Sequence, residues 1–250
     1  MGGCRIAHYP HWRDGLTDAL RLSAAMTDKA ALAGLPNGGG KTVVALPPGR
    51  SLDATIRRDV LHDVGDVIAG LGGLYATGPD VGTGPDDMVT IAERTEHAFC
   101  RPIGAGGSGD SSEHTATGVM AALRAVCADR FGSPDPAGRS FAVLGLGRVG
   151  AQVLRLLTAE GARVVAADVD ETRRAVAGGA TWVTPDEGLT AEVDVLVPAA
   201  LGGLLTPATV PRLRVTAIGG TLSTVLRSAR AAGTTPLAAA RDAARRRVGY

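Results

Sequence analysis

The stretch SFAVLGLGRVG, residues 140–150, decides the fold of the second half of this 250-residue chain. It opens with the apolar run typical of a buried strand and passes through a G-x-G-x-x-G pattern at Gly145, Gly147 and Gly150. The helical pattern RVGAQVLRLLTAEG follows, and a second apolar run, ARVVAADV, ends at Asp168 and Val169. Strand, glycine turn, helix and strand in this order predict a βαβ unit built on a parallel sheet.

The glycine turn predicts a dinucleotide site of Rossmann type. The first glycine permits a tight turn, the second lets the backbone approach a pyrophosphate, and the third lets helix and strand pack closely. The helix start, with Arg148 and Val149, would present N–H groups to the phosphates. Asp168 would accept bonds from the ribose and favours NAD over NADP, although Arg173 and Arg174 lie close downstream. A similar turn that binds nothing is the alternative.

Outward from this unit, alternation of strands and helices continues through TWVTP, VDVLVPA and VTAIGG. We therefore predict an α/β protein of two domains, an α/β substrate domain and a doubly wound parallel-sheet domain of Rossmann type. The glycine-rich stretch GAGGSGDSSEH precedes a long helix predicted for residues 115–130 and marks the boundary. Residues 1–114 form the substrate domain, 115–221 the NAD domain, and 222–250 helices that pack back toward the first domain.

The first half reads as helix, loop, strand and helix. A helix is predicted from Asp14 to Leu32, a short strand at TVVAL, and a second helix capped by Ser51. LYAT predicts a further strand, and Asp86 and Asp87 open a helix that runs through Glu96.

Lys41 is one of only two lysines in the chain and follows three consecutive glycines. A P-loop is excluded, because here a helix precedes the glycines and a strand follows them, and Leu35 stands where the first P-loop glycine is required. A lysine in this setting can reach a small anion such as a carboxylate. Taken alone, a solvated loop lysine is the simpler interpretation.

Asp80 lies in the loop GPDVGTGPDDM, directly after a predicted strand. Aspartates in such loops usually bond their own backbone. A position facing a cleft between domains would make Asp80 a usable proton carrier.

Composition excludes several other classes. Net charge is +1 with both signs interspersed, so no basic face for nucleic acid is predicted. Three scattered cysteines indicate neither a disulfide framework nor a metal site. No apolar run is long enough to span a membrane, and the N-terminus does not resemble a signal peptide. We predict a soluble cytoplasmic protein without a metal.

The chain resembles the glutamate, leucine, phenylalanine and valine dehydrogenase family, most closely its leucine and valine branch. The resemblance covers most of the chain, and its specific motifs are GGGKTV, PDVGT and PAALGG, with MGGCR, HTATGVMAALRA and FAVLGLGRVG around them. It implies oxidative deamination of an amino acid to a 2-oxo acid, with NAD as cofactor and a homo-oligomeric assembly.

The resemblance also implies residue roles. Lys41 would hold the substrate α-carboxylate in a pocket lined by Gly2 and Gly3, and Asp80 would carry the proton of the amino group. Thr115 would touch the cofactor, and Ala199 and Leu201 would lie near the nicotinamide. Relatives acting on glutamate carry a lysine just before the paired glycines. Met1 occupies that position here, which favours leucine, valine or isoleucine as substrate.

Three departures from the family pattern bear on activity. The family's second, catalytic lysine is missing from LPPGRSLD, and the nearby Arg50 cannot act as a general base. Family members begin some tens of residues earlier, which predicts an open sheet edge here unless the protein begins upstream of Met1. After VTAIGG the chain passes directly to TLSTVLRSARAAG, as if a segment were deleted. The rival hypothesis is a relative that binds dinucleotide without turnover.

Overall fold

The computed structural model describes residues 1–202, 204–219, 242 and 245. The chain divides into two compact units, which separate between Ser111 and Ser112. The helices predicted for residues 222–250 lie outside the described residues, apart from positions 242 and 245. The roles assigned to the two halves of the chain stay predictions.

Unit 1 is built around a parallel sheet in the order β2–β1–β3. Its register pairs Gly2 with Gly40 and Gly3 with Lys41 on one side of β1, and Gly3 with Gly78 on the other. The elements are β1 (Gly2–His8), α1 (Trp12–Leu32), β2 (Gly40–Leu46), α2 (Ala54–Gly70), β3 (Thr77–Pro79) and α3 (Pro85–Ala92), followed by a 3₁₀ turn at Ile103–Ala105.

The two long helices of unit 1 lie on opposite faces of this sheet. Gly15 of α1 packs where a Cβ would meet the side chains of Val43 and Ala45. Leu61 and Ile68 of α2 belong to a buried cluster with Cys4, Ile6, Met88, Ile91 and Ala98, against which Val44 and Leu46 also pack. Because successive strand residues point to opposite faces, the odd-numbered positions of β1 and β2 share the face of α1.

Several sequence-based predictions for unit 1 need correction. Strand β1 was not predicted, and the strand expected at LYAT begins only at Thr77, because Leu74 belongs to the turn after α2. Helix α2 is capped by Asp53 and not by Ser51, since the Asp53 Oδ1 accepts from the Ile56 N–H at 2.9 Å. Helix α3 ends at Ala92 and does not reach Glu96.

Unit 2 contains a parallel sheet in the order β6–β5–β4–β7–β8. Helix α4 begins four residues earlier than predicted, at Ser111. The elements are α4 (Ser111–Phe131), β4 (Ser140–Leu144), α5 (Arg148–Ala159), β5 (Arg163–Ala167), β6 (Thr181–Trp182), α6 (Pro185–Leu189), β7 (Val193–Pro198) and β8 (Val215–Ile218), with 3₁₀ turns at Glu171–Val176 and Val210–Arg212.

The strand order confirms the predicted Rossmann-type sheet. From β4 the chain moves outward through β5 to β6, then returns to the other side of β4 with β7 and β8. The reversal creates a crevice at the carboxyl ends of β4 and β7, where dinucleotides bind in this fold. The sheet is buried on both faces: Phe141 and Val143 join one cluster, and Ala142 and Leu144 the other.

Among the described residues, no helix is both long enough and apolar enough to cross a membrane.

Candidate active site

Lys41 and Asp80 form an ion pair in unit 1. The Lys41 Nζ lies 2.7 Å from the Asp80 Oδ2, and only 6% of the lysine side chain is exposed. Lys41 belongs to strand β2, one residue after its start, so the interpretation of a solvated loop lysine is wrong. The pair places a buried ammonium group and a carboxylate side by side at the sheet.

Gly3 leaves the space that this pair occupies. A Cβ at Gly3 would lie 3.1 Å from both the Lys41 Nζ and the Asp80 Cβ. At Gly2, a Cβ would overlap the carbonyl oxygen of Gly40 on the neighbouring strand. The structure therefore brings together Gly2, Gly3, Lys41 and Asp80, the residues predicted for substrate binding and proton transfer.

The loop after β3 holds Asp80 in place through its own sequence. Thr83 is buried, and its hydroxyl donates to the Cys4 carbonyl at 2.7 Å and accepts from the Asp80 N–H at 2.9 Å. Gly82 has a φ of +78°, and a Cβ there would collide with the Ile6 carbonyl. The motif PDVGT thus builds a rigid turn around the carboxylate.

Two residues of this site were missed from the sequence. The Arg5 Nε donates to the Asp80 Oδ2 at 2.8 Å, and the Arg5 Nη1 donates to the Asp18 Oδ2 at 2.7 Å. Asp18 lies on α1 and also accepts from the Tyr9 hydroxyl at 2.7 Å. Had β1 been recognised as a strand, its alternation would have placed Arg5 on the same face as Gly3.

The electrostatics of the cluster keep both carboxylates ionised. Burial raises the pKa of Asp80, but the hydrogen bonds and charges of Lys41 and Arg5 outweigh burial and hold that pKa below its ordinary value of 3.8. Burial likewise opposes, without overcoming, the lowering of the Asp18 pKa by Arg21, Tyr9 and Arg5. Burial raises the pKa of the adjacent Cys4 thiol to about 12, so this thiol stays protonated and is not a nucleophile.

The segment that lacks the second lysine serves structural roles. Leu52 packs against the core of unit 1, and Asp53 caps α2. The Arg50 carbonyl accepts from the His8 Nε2 at 2.7 Å, which fixes the loop to the end of β1.

The glycine turn of unit 2 has the shape that its sequence predicts. Gly145 has a φ of +95°, and a Cβ there would lie 2.5 Å from the Ala200 backbone. At Gly150 a Cβ would collide with the Gly145 carbonyl, which explains the close contact of helix and strand. A Cβ at Gly147 would meet no protein atom within 4 Å. The turn therefore presents open backbone at the start of α5, next to Arg148 and Val149.

Asp168 borders this turn at the end of β5. Its Oδ2 accepts from the Leu146 N–H at 2.6 Å, and its Oδ1 accepts from the Asp170 N–H at 2.9 Å. A carboxylate offers about four lone-pair positions, so Asp168 retains acceptor capacity for two hydroxyl groups. The turn, the helix start and the carboxylate together fit the phosphates and ribose of a dinucleotide.

The remaining predicted cofactor residues are Ala199, Leu201 and Thr115, of which Ala199 packs against the turn. The Ala199 N–H donates to the Leu144 carbonyl at 2.8 Å, and the Ala199 Cβ would lie 3.1 Å from a Cβ at Gly150. Leu201 follows on the surface with 65% of the residue exposed. Thr115 is exposed near the start of α4.

One cavity is separate from these sites, and a metal centre is not found among the described residues. An apolar cavity of about 310 Å³ lies between β2 and α2, and its lining includes Thr42 and Val44 on the face opposite Lys41. The described residues contain no group of three or more His, Cys, Asp or Glu side chains suited to a metal ion.

A Rossmann-type unit with an open glycine turn, together with a second α/β unit that carries a buried lysine–aspartate pair, defines a two-unit α/β protein of the Rossmann class. Residues 1–97 match the family model "Glu/Leu/Phe/Val dehydrogenase, dimerisation domain", and residues 106–172 match "Glutamate/Leucine/Phenylalanine/Valine dehydrogenase". The chain belongs to the Glu/Leu/Phe/Val dehydrogenase family.

Individual relatives agree with this assignment. Phenylalanine dehydrogenase of Caldalkalibacillus thermarum is 39% identical over 88% of this chain and 60% of its own length. Leucine dehydrogenase of Geobacillus stearothermophilus is 36% identical over 92% of this chain and 62% of its own. The chain thus spans about 60% of the length of the curated relatives it matches.

A solved structure supports the same fold. The crystal structure of L-tryptophan dehydrogenase from Nostoc punctiforme superposes with a TM-score of 0.72 at 28% identity. The match covers 100% of this chain and 87% of that one.

Proposed function

We propose that this protein catalyses the NAD-dependent oxidative deamination of an apolar L-amino acid to its 2-oxo acid, with release of ammonia. The observation that carries the proposal is the buried Lys41–Asp80 pair beside Gly3. A buried ammonium and an adjacent carboxylate can bind a zwitterion, because each group matches one charge of an α-amino acid. Family membership adds the dehydrogenase chemistry.

Each residue of the pair has a proposed role. Lys41 exchanges its bond with Asp80 for one with the α-carboxylate of the substrate. Asp80 then loses one of the two cations that bond it among the described residues, its proton affinity rises, and it can accept a proton from the substrate amino group. Gly3 leaves room for the carboxylate next to Lys41.

Gly145, Gly147, Arg148, Val149, Gly150 and Asp168 are proposed to hold the dinucleotide. Its nicotinamide supplies the acceptor for the hydride that leaves the substrate Cα. Asp168 favours NAD over NADP, because a fixed carboxylate at the end of β5 accepts bonds from ribose hydroxyls and repels a 2′-phosphate. We also propose that Thr115, Ala199 and Leu201 contact the bound cofactor, as the family resemblance implies.

The substrate is proposed to have an apolar side chain. The relatives named above are dehydrogenases of phenylalanine, leucine and tryptophan, whose side chains are all largely apolar. Met1 precedes the paired glycines, and its side chain carries no charge that would meet a side-chain carboxylate. Branched-chain amino acids remain the narrower prediction from the sequence.

We also propose that the protein is a homo-oligomer and is located in the cytoplasm. The model that matches residues 1–97 describes a dimerisation domain, which supports a homo-oligomer. All three cysteines are free thiols, which suits the reducing cytoplasm.

A second candidate function is dinucleotide binding without turnover. It is favoured by the segment from Leu46 to Asp53, whose side chains cap a helix and fill the core but supply no second amine. Loss of a general acid or base typically costs about 10²–10⁴-fold in rate. A slow enzyme and an inactive binder are therefore the two outcomes to separate.

The test is NADH formation at alkaline pH with leucine, valine, isoleucine, phenylalanine, tryptophan and glutamate. Turnover with an apolar amino acid, abolished by Lys41→Ala and lowered about 10²–10⁴-fold by Asp80→Asn, is the expected result. Lys29→Ala is the matched control, since Lys29 is the only other lysine and is exposed on α1. Calorimetric binding of NAD without turnover of any amino acid would leave the second candidate.

A further inference from the structure

Arg5 bridges two carboxylates from different elements. Its Nε bonds Asp80 in the loop after β3, and its Nη1 bonds Asp18 on α1. The side chains of Arg5 and Asp18 are each only 14% exposed, so the guanidinium is enclosed between helix and sheet. A planar guanidinium suits this task because its donors point in fixed directions.

Arg5 and Lys41 converge on a single oxygen, the Asp80 Oδ2, at 2.8 and 2.7 Å. The enclosed cluster thus contains two cations, Arg5 and Lys41, and two carboxylates, Asp18 and Asp80. Without Arg5, Asp18 would still be paired with Arg21, but the Lys41 ammonium would be the cation left beside Asp80 within this cluster, and a further carboxylate from a ligand would be repelled.

We propose that Arg5, anchored by Asp18, is a positioning residue that holds the Asp80 carboxylate and so leaves Lys41 able to exchange Asp80 for a ligand carboxylate. This inference rests on the proposed function, because the exchanged carboxylate is that of the substrate. Arg5 itself does not touch the substrate. It keeps one cation on Asp80 in both states of the exchange.

The chain supplies two matched controls for this role. Arg21 also bonds Asp18, at 2.6 Å, but its side chain is 55% exposed. Arg57 forms a two-pronged pair with Asp87 at 2.8 Å on the other side of the sheet and ties α2 to the Gly82 carbonyl. Arg21→Gln removes a charge near Asp18, and Arg57→Gln removes a structural ion pair of the same unit.

The first measurement is the titration of Asp80 in the full chain. Aspartate carboxyls are labelled with ¹³C, and Asp80→Asn assigns the signal. In Arg5→Gln the midpoint of the Asp80 titration is expected to rise by about one pH unit or more, a tenfold change in its protonation equilibrium. Arg21→Gln and Arg57→Gln are expected to leave it unchanged.

The second measurement is calorimetric binding of 4-methyl-2-oxopentanoate, a branched-chain 2-oxo acid, in the presence of NADH. Arg5→Gln is expected to weaken binding about tenfold or more, whereas Arg21→Gln stays within about twofold of the original protein. An Asp80 titration and a ligand affinity that are both unchanged in Arg5→Gln would overturn the inference.

Two contingencies keep the outcomes distinct. If Arg5→Gln does not fold, Asp18→Asn removes only the anchor and is expected to shift the Asp80 titration in the same direction. An Asp80 titration that is unchanged in Asp18→Asn would then overturn the inference. If the original protein binds no 2-oxo acid, the proposed function fails. The Asp80 titration then still decides whether Arg5 holds the carboxylate.

Discussion

At the scale of single residues, Gly3 is the position where one added methyl group would disturb the charged pair. In Gly3→Ala the new Cβ would lie 3.1 Å from the Lys41 Nζ and 3.3 Å from the Pro79 carbonyl, which is tighter than ordinary contact. We expect the Michaelis constant for the amino acid to rise about tenfold or more, since Lys41 must move from the carboxylate position. Steady-state kinetics at saturating NAD measure this effect.

Gly38→Ala is the control for this substitution. A Cβ at Gly38 would meet no atom within 4 Å, although Gly38 belongs to the same glycine run as Lys41. Kinetics within about twofold of the original protein are expected. If both variants lose amino-acid affinity equally, backbone flexibility and not the space beside Lys41 sets the effect of Gly3→Ala.

The depressed pKa of Asp80 predicts a defined acid sensitivity. The pKa of Asp80 in the folded state lies below its pKa in the unfolded state. The ionised carboxylate therefore stabilises the fold fully at any pH above the unfolded-state pKa. The contribution is lost as the pH falls through the folded-state pKa, that is, below about pH 4. Urea unfolding at pH 7, 5, 4 and 3 should therefore show a shallower decline in Asp80→Asn than in the original protein.

An aspartate substitution at the surface tests whether this slope is specific. Asp28→Asn changes an exposed position on α1. It is expected to follow the pH dependence of the original protein. Equal slopes in all three proteins would mean that Asp80 takes no part in the acid response.

How far single residues could be predicted depends on whether their signal is local. Lys41 and Asp80 stand in unusual local sequences, a glycine run and a Gly/Pro-bounded loop, so their chemistry could be suspected in advance. Arg5 and Asp18 carry no such signal, since one arginine and one helical aspartate are ordinary residues. Their roles arise from two contacts that only the folded sheet and helix create. Arg5 bonds Asp80, which is 75 positions away in sequence, and Asp18, which is 13 positions away.

At the scale of elements, the turn between β4 and α5 assigns different tasks to its glycines. Gly150→Ala would force a Cβ against the Gly145 carbonyl and is expected to cost about 1–3 kcal/mol of unfolding free energy. Gly147→Ala meets no protein atom, so we expect a stability change within about 1 kcal/mol. The same variant should bind NAD about tenfold or more weakly, because its methyl group occupies space next to the helix N-terminus.

Thermal unfolding and NAD calorimetry on the two variants check this separation. The expected pattern is a destabilised Gly150→Ala and a stable Gly147→Ala with poor NAD binding. Unchanged NAD affinity in Gly147→Ala would remove the turn from the proposed cofactor site.

The elements themselves were predictable where a pattern repeats over many residues. α5 and the strands of unit 2 follow from long apolar periodicities that agree with one another. β1 was missed because GGCRIAH opens with two glycines, which disfavour strands. Those glycines are present because Gly40, Lys41 and Asp80 approach the backbone closely, a tertiary reason that overrides local propensity.

At the scale of the whole molecule, the two units have separate cores and separate candidate sites. Cys4, Ile6 and Leu61 belong to the core of unit 1, whereas Phe141 and Val195 belong to that of unit 2. A ligand that binds only one unit should stabilise that unit more than the other, since a ligand stabilises the folded state that binds it. The sequence predicts two domains from a glycine-rich boundary, and the structure contains two compact units, each with its own buried apolar cluster.

Hydrogen exchange measured by mass spectrometry tests this assignment of ligands to units. NAD alone should slow exchange in residues 144–151, and a branched-chain amino acid alone should slow it in residues 40–46 and 77–84. Lys41→Ala should abolish the second effect and leave the first, and Gly147→Ala should do the reverse. Protection of residues 40–46 by NAD alone, retained in Lys41→Ala, would contradict the assignment, because it would place dinucleotide binding at the lysine and not at the glycine turn.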